Sequence, residues 1–301
     1  MELQKLLKPS YQTFLDAENS FDESRYVVFG AKMDITGTYR RGARFGPDLI
    51  RRASRHIESH SLRSGIDAED LPICDLGDLH EQESVEGWLD AVEAVTRTVR
   101  GASKIPVMIG GEHTLTLGAL RGIGDAGIVD LDAHLDMRNE LFGRRLSHAT
   151  FLRRALEANP NRSFIVLGAR ALSKEEIGFA DPKGYVAAPE FKKVGVANVV
   201  EQTMSRIPDT EVYLSIDMDV IDPAEAPAVC NPYPEGLSVS WILDFIHVLS
   251  SKRRIIGLDL CEAAPYYDSG ATSIQAAKIL METLLAVEKS LDRDPKARGG
   301  Q

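Results

Sequence analysis

Six short stretches of this chain are apolar almost without interruption: Tyr26 to Phe29, Ile105 to Ile109, Gly127 to Leu131, Phe164 to Leu167, Val212 to Ile216 and Ile255 to Leu260. A strand with one wet face must alternate apolar and polar residues, whereas a strand covered on both faces need not. Longer amphipathic stretches separate these runs. Trp88, Val92, Val95 and Val99 recur at helical spacing, with Gly101 as a stop signal behind them. Similar stripes run from Ile242 to Leu249 and from Ile274 to Val287, and Pro47 suits the first turn of a helix heading towards His60. Buried strands alternating with helices predict an α/β fold, a three-layer α/β/α sandwich around a mostly parallel sheet. No Gly/Ser-rich or Pro-rich linker, internal repeat or low-complexity run divides the sequence. One domain over residues 1–301 is therefore expected, with 1–24 as an N-terminal extension and 292–301 as a loose tail.

Charge and cysteine usage narrow the function classes. The formal charge of -10 argues against a nucleic-acid partner, which needs clustered Lys and Arg, and suits a cationic small molecule. Cys74, Cys230 and Cys261 stand singly, so neither a disulfide framework nor a zinc knuckle is indicated, and a reducing cytoplasm is the expected compartment. No apolar run is long enough to span a bilayer, and no membrane partner is expected.

The chemistry lies just beyond the apolar runs. Gly110-Gly111-Glu112-His113, Asp132-Ala133-His134-Leu135-Asp136, Asp217-Met218-Asp219 and the lone Glu262 each follow one of them. In open α/β sheets ligands bind beyond the carboxyl ends of the strands. Any one acidic pair there reads as a helix cap or a solvated loop, but three clusters with two histidines point to metal. Oxygen and imidazole donors without cysteine suit moderately hard divalent ions. Along extended chain, residues two apart face the same way, so Asp132, His134 and Asp136 converge, as do Asp217 and Asp219. With His113 these make six candidate ligands, more than one tetrahedral ion needs and suited to two ions sharing carboxylates. Asp130 lies deeper on the same alternation, where a hydrogen-bonded structural carboxylate is expected. The expectation is a hydrolase with two metal ions.

Gly-Gly-Glu-His-Thr, Asp-Ala-His-Leu-Asp, the segment Ser215 to Pro223, and Glu262 before Pro265 resemble the ureohydrolases, the arginase/agmatinase family. The likeness covers nearly the whole chain, since Tyr39 to Pro47 resembles the family's early Gly-Ala-Arg-Phe-Gly-Pro segment and Thr272 with its following helix resembles the family's ending. It implies an arginase-like sheet of about eight strands, a homo-oligomer (trimer or hexamer), and two Mn2+ per subunit. One ion would take His113, Asp132, Asp136 and Asp217; the other would take Asp132, His134, Asp217 and Asp219, with Asp132 and Asp217 as bridges. The sequence departs from the commonest family pattern at Glu112, a carboxylate not expected to bind metal, and at Ala149 and Cys230-Asn231, which bear on the outer pocket wall more than on the metal core.

The resemblance also implies roles. Asp136 would orient the attacking water and pass its proton to the leaving amine, Glu262 would receive the guanidinium in a fork-like pair, and His148 would shuttle protons. His56, His60, His80 and His247 read as structural, and Cys230 as an inert small apolar residue of the pocket. Arginases carry Asn two residues before the shuttle histidine, in a loop that binds the α-carboxylate; this chain has Leu146 there. That favours agmatine, cleaved to putrescine and urea in polyamine biosynthesis. Arg138, Arg144 and Arg145 in the same loop are good carboxylate receivers and keep arginine or another guanidino acid as the alternative. A binuclear phosphoesterase, suggested by Gly77-Asp78-Leu79-His80, has its motifs in another order, and a single-zinc deacetylase would lack His113 and Asp219. A non-catalytic binding protein on the same fold would be expected to have lost ligands.

Overall fold

The computed structural model describes residues 3–180 and 184–293. In chain order its strands are β1 (Leu7–Lys8), β2 (Tyr26–Ala31), β3 (Ile73–Leu79), β4 (Ile105–Gly110), β5 (Gly127–Leu131), β6 (Phe164–Ala169), β7 (Tyr185–Ala187), β8 (Glu211–Asp217) and β9 (Arg254–Cys261). The helices are α1 (Leu3–Leu6), α2 (Gly46–Ser54), α3 (Val85–Gly101), α4 (Thr116–Ile123), α5 (Phe151–Ala158), α6 (Lys174–Phe179), α7 (Ala188–Val194), α8 (Val196–Arg206), α9 (Val239–Ser250) and α10 (Ala271–Arg293). The nine strands of the described residues form one sheet in the order β1-β3-β2-β4-β9-β8-β5-β6-β7. Every pairing is parallel except that of the two-residue β1 with β3.

The continuous apolar runs are strands because both faces of the sheet are covered. Alternate residues of β2 divide between two cores. Tyr26 and Val28 pack with Ile50 of α2, Phe191 of α7, Val199 of α8, Ile242 of α9 and Leu280 of α10. Val27 and Phe29 pack on the other side with Trp88 and Val92 of α3, Leu120 of α4 and Leu152 of α5. Each such side chain, fully buried, contributes about 1.5–3 kcal/mol. Helix starts follow local chemistry: Ser84 accepts the Gly87 N–H and opens α3, and Ser238 accepts the Trp241 N–H and opens α9.

Three strands lie outside the apolar runs of the sequence. β1 and β7 are too short to show a pattern. β3 reads Ile-Cys-Asp-Leu-Gly-Asp-Leu, and its two carboxylates serve a guanidinium buried beneath them. Arg51 reaches both oxygens of Asp75, at 2.8 and 2.9 Å, and Asp78 at 2.6 Å. Gly101 is the last residue of α3 and not the left-handed residue beyond it; that conformation falls on Ser103, at φ 60°. Leu3 and Leu7 of the expected N-terminal extension are buried. At the other end α10 continues through Asp292 to Arg293, the first residues of the expected tail; the rest of that tail lies outside the described residues. No helix among the described residues is long and apolar enough to cross a membrane.

The strand order is what places the chemistry. β4, β9, β8 and β5 are consecutive neighbours at the middle of the sheet, so the segments that leave their carboxyl ends emerge side by side.

Candidate metal centre

His113 opens a short 3-10 turn after β4 and is fully buried, its ring packed on Phe151 at 4.2 Å between centroids. Its Nδ1 stands 3.2 Å from Asp132 Oδ2, 3.2 Å from Asp136 Oδ2 and 3.3 Å from Asp217 Oδ2. Its Nε2 lies 2.9 Å from Ser215 Oγ. Ser215 donates to Asp259 Oδ1 at 2.8 Å, and the Tyr213 hydroxyl donates to Asp259 Oδ2 at 2.6 Å. Because the Ser215 hydrogen is used on Asp259, its oxygen is left to accept from His113 Nε2–H. Nδ1 is then the lone-pair atom, facing three carboxylate oxygens. His134 Nδ1 stands in a similar setting, 3.1 Å from Asp219 Oδ2 and 3.4 Å from Asp132 Oδ1.

Two sets of donor atoms result, His113 with Asp132 and Asp217, and His134 with Asp132 and Asp219, each with its atoms within 4.8 Å of one another. Asp132 belongs to both. Asp217 gives Oδ2 to the first set while its Oδ1 accepts the Asp219 N–H at 2.7 Å. Buried donor and acceptor atoms should be satisfied, yet His113 Nδ1 and Asp132 Oδ2 have no hydrogen-bond partner. So dense a group of carboxylates draws protons. Burial and the Asp132 carboxylate push Asp136 up to about 7, and burial with Asp219 and Asp132 raises Asp217. Burial opposes protonation of His113 and His134, but the surrounding aspartates outweigh it and raise both. A divalent cation supplies the same positive charge and satisfies the same atoms, so the donor set fits metal.

The convergence does not come from strand alternation. β5 ends at Leu131, and Asp132 to Asp136 form a loop in which Asp136 is left-handed, at φ 49°. That turn brings Asp136 back beside Asp132. Asp217 is the last residue of β8 and also caps the 3-10 turn Met218–Val220, so a capping role and a place in the cluster coexist in one side chain. Asp130 differs from expectation. It is fully buried but neither oxygen has a hydrogen-bond partner among the described residues, and His113 Nε2 stands 3.7 Å away. The strand geometry leaves Asp130 facing His113 and no donor.

Glu112 is used elsewhere, as the sequence suggests. Its oxygens accept the Ile35 and Thr36 N–H groups, at 2.6 and 2.7 Å, and the hydroxyls of Thr36 and Thr114, both at 2.6 Å. Thr36 Oγ1 in turn lies 3.1 Å from His148 Nδ1 and accepts the His148 N–H at 3.1 Å. Burial lowers the pKa of His148. Glu262 is left-handed, at φ 66°, and its Oε1 accepts the His113 N–H at 2.7 Å. Its Oε2 is buried without a partner, and burial pushes the carboxyl up to about 8. Cys230 is buried, and its pKa is raised well above the usual thiol range, which removes thiolate character.

A cleft of about 330 Å³ opens over His134, lined by Tyr39, Arg138, Leu172, Asn231 and Tyr233 among others. Leu146 does not reach its rim; it packs against the core under α3, α4 and α5. One wall is held by Arg170, which the sequence does not single out. Arg170 donates to the backbone carbonyls of Asp219 at 2.7 Å, Tyr233 at 2.8 Å and Pro234 at 2.9 Å, tying the ligand turn to the cleft. Asp78 and His80 of the phosphoesterase-like segment belong to β3 and the residue after it, near the far end of the sheet. Asp78 is occupied there by Arg51 and Lys32, each at 2.6 Å.

Known proteins resemble this chain in sequence and fold. The agmatine ureohydrolase of Thermoplasma volcanium superposes with a TM-score of 0.87 at 39% identity, covering 97% of this chain and 99% of that one. The N(1)-aminopropylagmatine ureohydrolase of Thermococcus kodakarensis is 33% identical over 275 residues, 89% of this chain and 92% of the relative. The agmatinase of Bacillus cereus is 32% identical over 283 residues, 92% and 96% of the two chains. The model of the arginase family matches residues 24–286, which span every strand from β2 to β9 and all the clustered His and Asp residues. By fold and by sequence, the chain belongs to the arginase family.

Proposed function

We propose that this chain hydrolyses agmatine to putrescine and urea with two manganese ions. His113, Asp132, Asp136 and Asp217 would hold one ion, and Asp132, His134, Asp217 and Asp219 the other. The observation that carries the reading is the pair of donor sets sharing Asp132 beneath the cleft. The substrate reading is supported by the relatives named agmatinase and agmatine ureohydrolase.

When bound, the two ions supply a water acidic enough to act as a nucleophile near neutral pH. Asp136 orients that water and carries its proton to the departing amine nitrogen. Glu262 receives the guanidinium. Since Oε1 already accepts the His113 N–H, the unpartnered Oε2 is the main receiver, and the fork expected from sequence is reduced to one strong charge-assisted bond. His148, kept neutral by burial, exchanges protons between the cleft and solvent while Thr36 holds its Nδ1. We further expect a homo-oligomer, a trimer or a hexamer, in a reducing cytoplasm where the three buried cysteines stay free.

The test is urea release from agmatine and from arginine by chelator-stripped protein before and after manganese is added. Activity is expected only with metal, and a higher kcat/KM for agmatine. Full activity in protein free of bound metal, or an equally active Asp217→Ala variant, would sink the metal assignment; a higher kcat/KM for arginine would sink the substrate.

A further inference from the structure

We propose that Glu112, acting through Thr36, is a positioning residue for the proton shuttle: it fixes which ring nitrogen of His148 carries the hydrogen and leaves Nε2 as the atom that takes up protons. The inference rests on the hydrolase reading above and deepens it. Three separate loops meet at this point. Thr36 follows β2, Glu112 follows β4, and His148 opens the 3-10 turn before α5. Thr36, Glu112, Thr114 and His148 are all buried, none of them more than 8% exposed. In so closed a place each hydrogen has a single use, and following the hydrogens assigns the tautomer.

Glu112 accepts from four donors. Its Oε2 takes the N–H groups of Ile35 and Thr36, at 2.6 and 2.7 Å, and its Oε1 takes the hydroxyls of Thr36 and Thr114, both at 2.6 Å. A hydrogen bond to a carboxylate is stronger than one to a neutral acceptor. The one hydrogen of Thr36 Oγ1 therefore stays on Glu112 and is not given to Thr114 Oγ1 at 3.4 Å or to His148 Nδ1 at 3.1 Å. Only lone pairs of Thr36 Oγ1 remain. One accepts the His148 N–H at 3.1 Å, and the other faces Nδ1, which must then carry the ring hydrogen. A neutral imidazole has one N–H, so Nε2 is the basic nitrogen. A single hydroxyl thus holds both the backbone and the ring of the shuttle, and the carboxylate behind it decides which way that hydroxyl is turned.

Gln at position 112 reverses the order. Its oxygen is needed where the two backbone N–H groups point, so its NH2 takes the place of Oε1 and donates to the two hydroxyls. Thr36 then turns its hydrogen to His148 Nδ1. The ring hydrogen moves to Nε2, which closes that atom to protons.

The experiment measures urea release from agmatine and bound manganese in wild type, Glu112→Gln, Thr36→Val and Thr36→Ser. The tautomer of His148 is read by nitrogen NMR on histidine-labelled protein in which diamagnetic magnesium replaces manganese, with His148→Asn identifying the signal. Wild type is expected to carry the hydrogen on Nδ1 and Glu112→Gln on Nε2. Glu112→Gln should lower kcat about 100-fold or more, leave KM within about twofold and keep both metals. Thr36→Val should lower kcat as well, and Thr36→Ser, which keeps the hydroxyl, should recover most of that loss. In a His148→Asn background Glu112→Gln should cost less than about threefold, because the shuttle it positions is gone. The proposal is overturned if wild type carries the hydrogen on Nε2, if Glu112→Gln leaves tautomer and kcat unchanged, if it lowers kcat equally with and without His148, or if the loss follows lost metal. Wild type that releases no urea from agmatine or arginine, yet shows the expected tautomers, overturns the hydrolase reading and leaves the relay from Glu112 to His148 standing.

Discussion

Replacing Asp259 by Asn isolates the hydrogen-bond relay behind His113. Asp259 is fully buried and accepts two hydroxyl hydrogens, from Ser215 at 2.8 Å and from Tyr213 at 2.6 Å. Asn has nearly the same shape but a single acceptor oxygen, so its NH2 must face one of those hydroxyls. Facing Ser215, it turns the serine hydrogen towards His113 Nε2. The imidazole proton then moves to Nδ1, the atom beside Asp132, Asp136 and Asp217. Facing Tyr213, it breaks the phenol bond that steadies the relay. Partners of this kind are worth about 10–100-fold in metal affinity, or about 1.4–2.8 kcal/mol. Calorimetric titration of manganese into stripped protein reads the affinity directly. Melting curves give a second readout. At a metal concentration of about one hundred times the wild-type Kd, binding stabilises wild type by about 2.7 kcal/mol and a hundredfold weaker variant by only about 0.4 kcal/mol. A folded Asp259→Asn protein whose Kd stays within twofold of wild type would refute the relay.

His148→Asn is expected to lower kcat by about 100-fold or more with both metals still bound, measured by urea release beside metal analysis; an unchanged rate returns His148 to a structural role. A pH effect is expected at α10, where Glu282 meets His247 and Lys278, each at 3.0 Å, and Ser61 at 2.7 Å. Burial works against the charged carboxyl, but these partners hold its pKa down to about 2 from 4.5. A carboxyl depressed in the folded state stabilises above its unfolded pKa, and that contribution fades as pH falls from about 4.5 towards 2. Glu282→Gln should therefore cost about 1–3 kcal/mol in denaturant melts at pH 7, and its gap to wild type should close over that window. A gap that does not change with pH refutes the assignment.

The strands of the middle of the sheet were legible because nothing polar interrupts them: Gly127 to Leu131 is β5 to the residue, and the other runs extend by one or two residues. β3 was not, because Asp75 and Asp78 are neutralised by Arg51, an arginine 24 and 27 positions away whose burial no local pattern reveals. The candidate ligand clusters showed themselves by close spacing at strand ends. Their geometry did not, since it depends on left-handed backbone at Asp136 and Glu262, residue types that give no sign of it. The pairing of His148 with Thr36 joins residues 112 positions apart. The cleft is likewise assembled from separated loops, which is why Leu146 suggested a rim position that Arg138 occupies.

The place of β9 has a consequence for how the protein is made. Among the described residues β9 is the last strand in chain order, yet it lies between β4 and β8, so it alone joins the half of the sheet built from β1 to β4 to the half built from β5 to β8. Until residues 254–261 leave the ribosome, the nascent chain carries two half-sheets with the open edges of β4 and β8 facing outward, a state prone to mispairing. His113 is on one half, and Asp132, His134 and Asp217 are on the other. The proposed set that includes His113 is therefore incomplete as the chain emerges, whereas Asp132, His134, Asp217 and Asp219 already share one half, and insertion of β9 is the event that brings His113 to them.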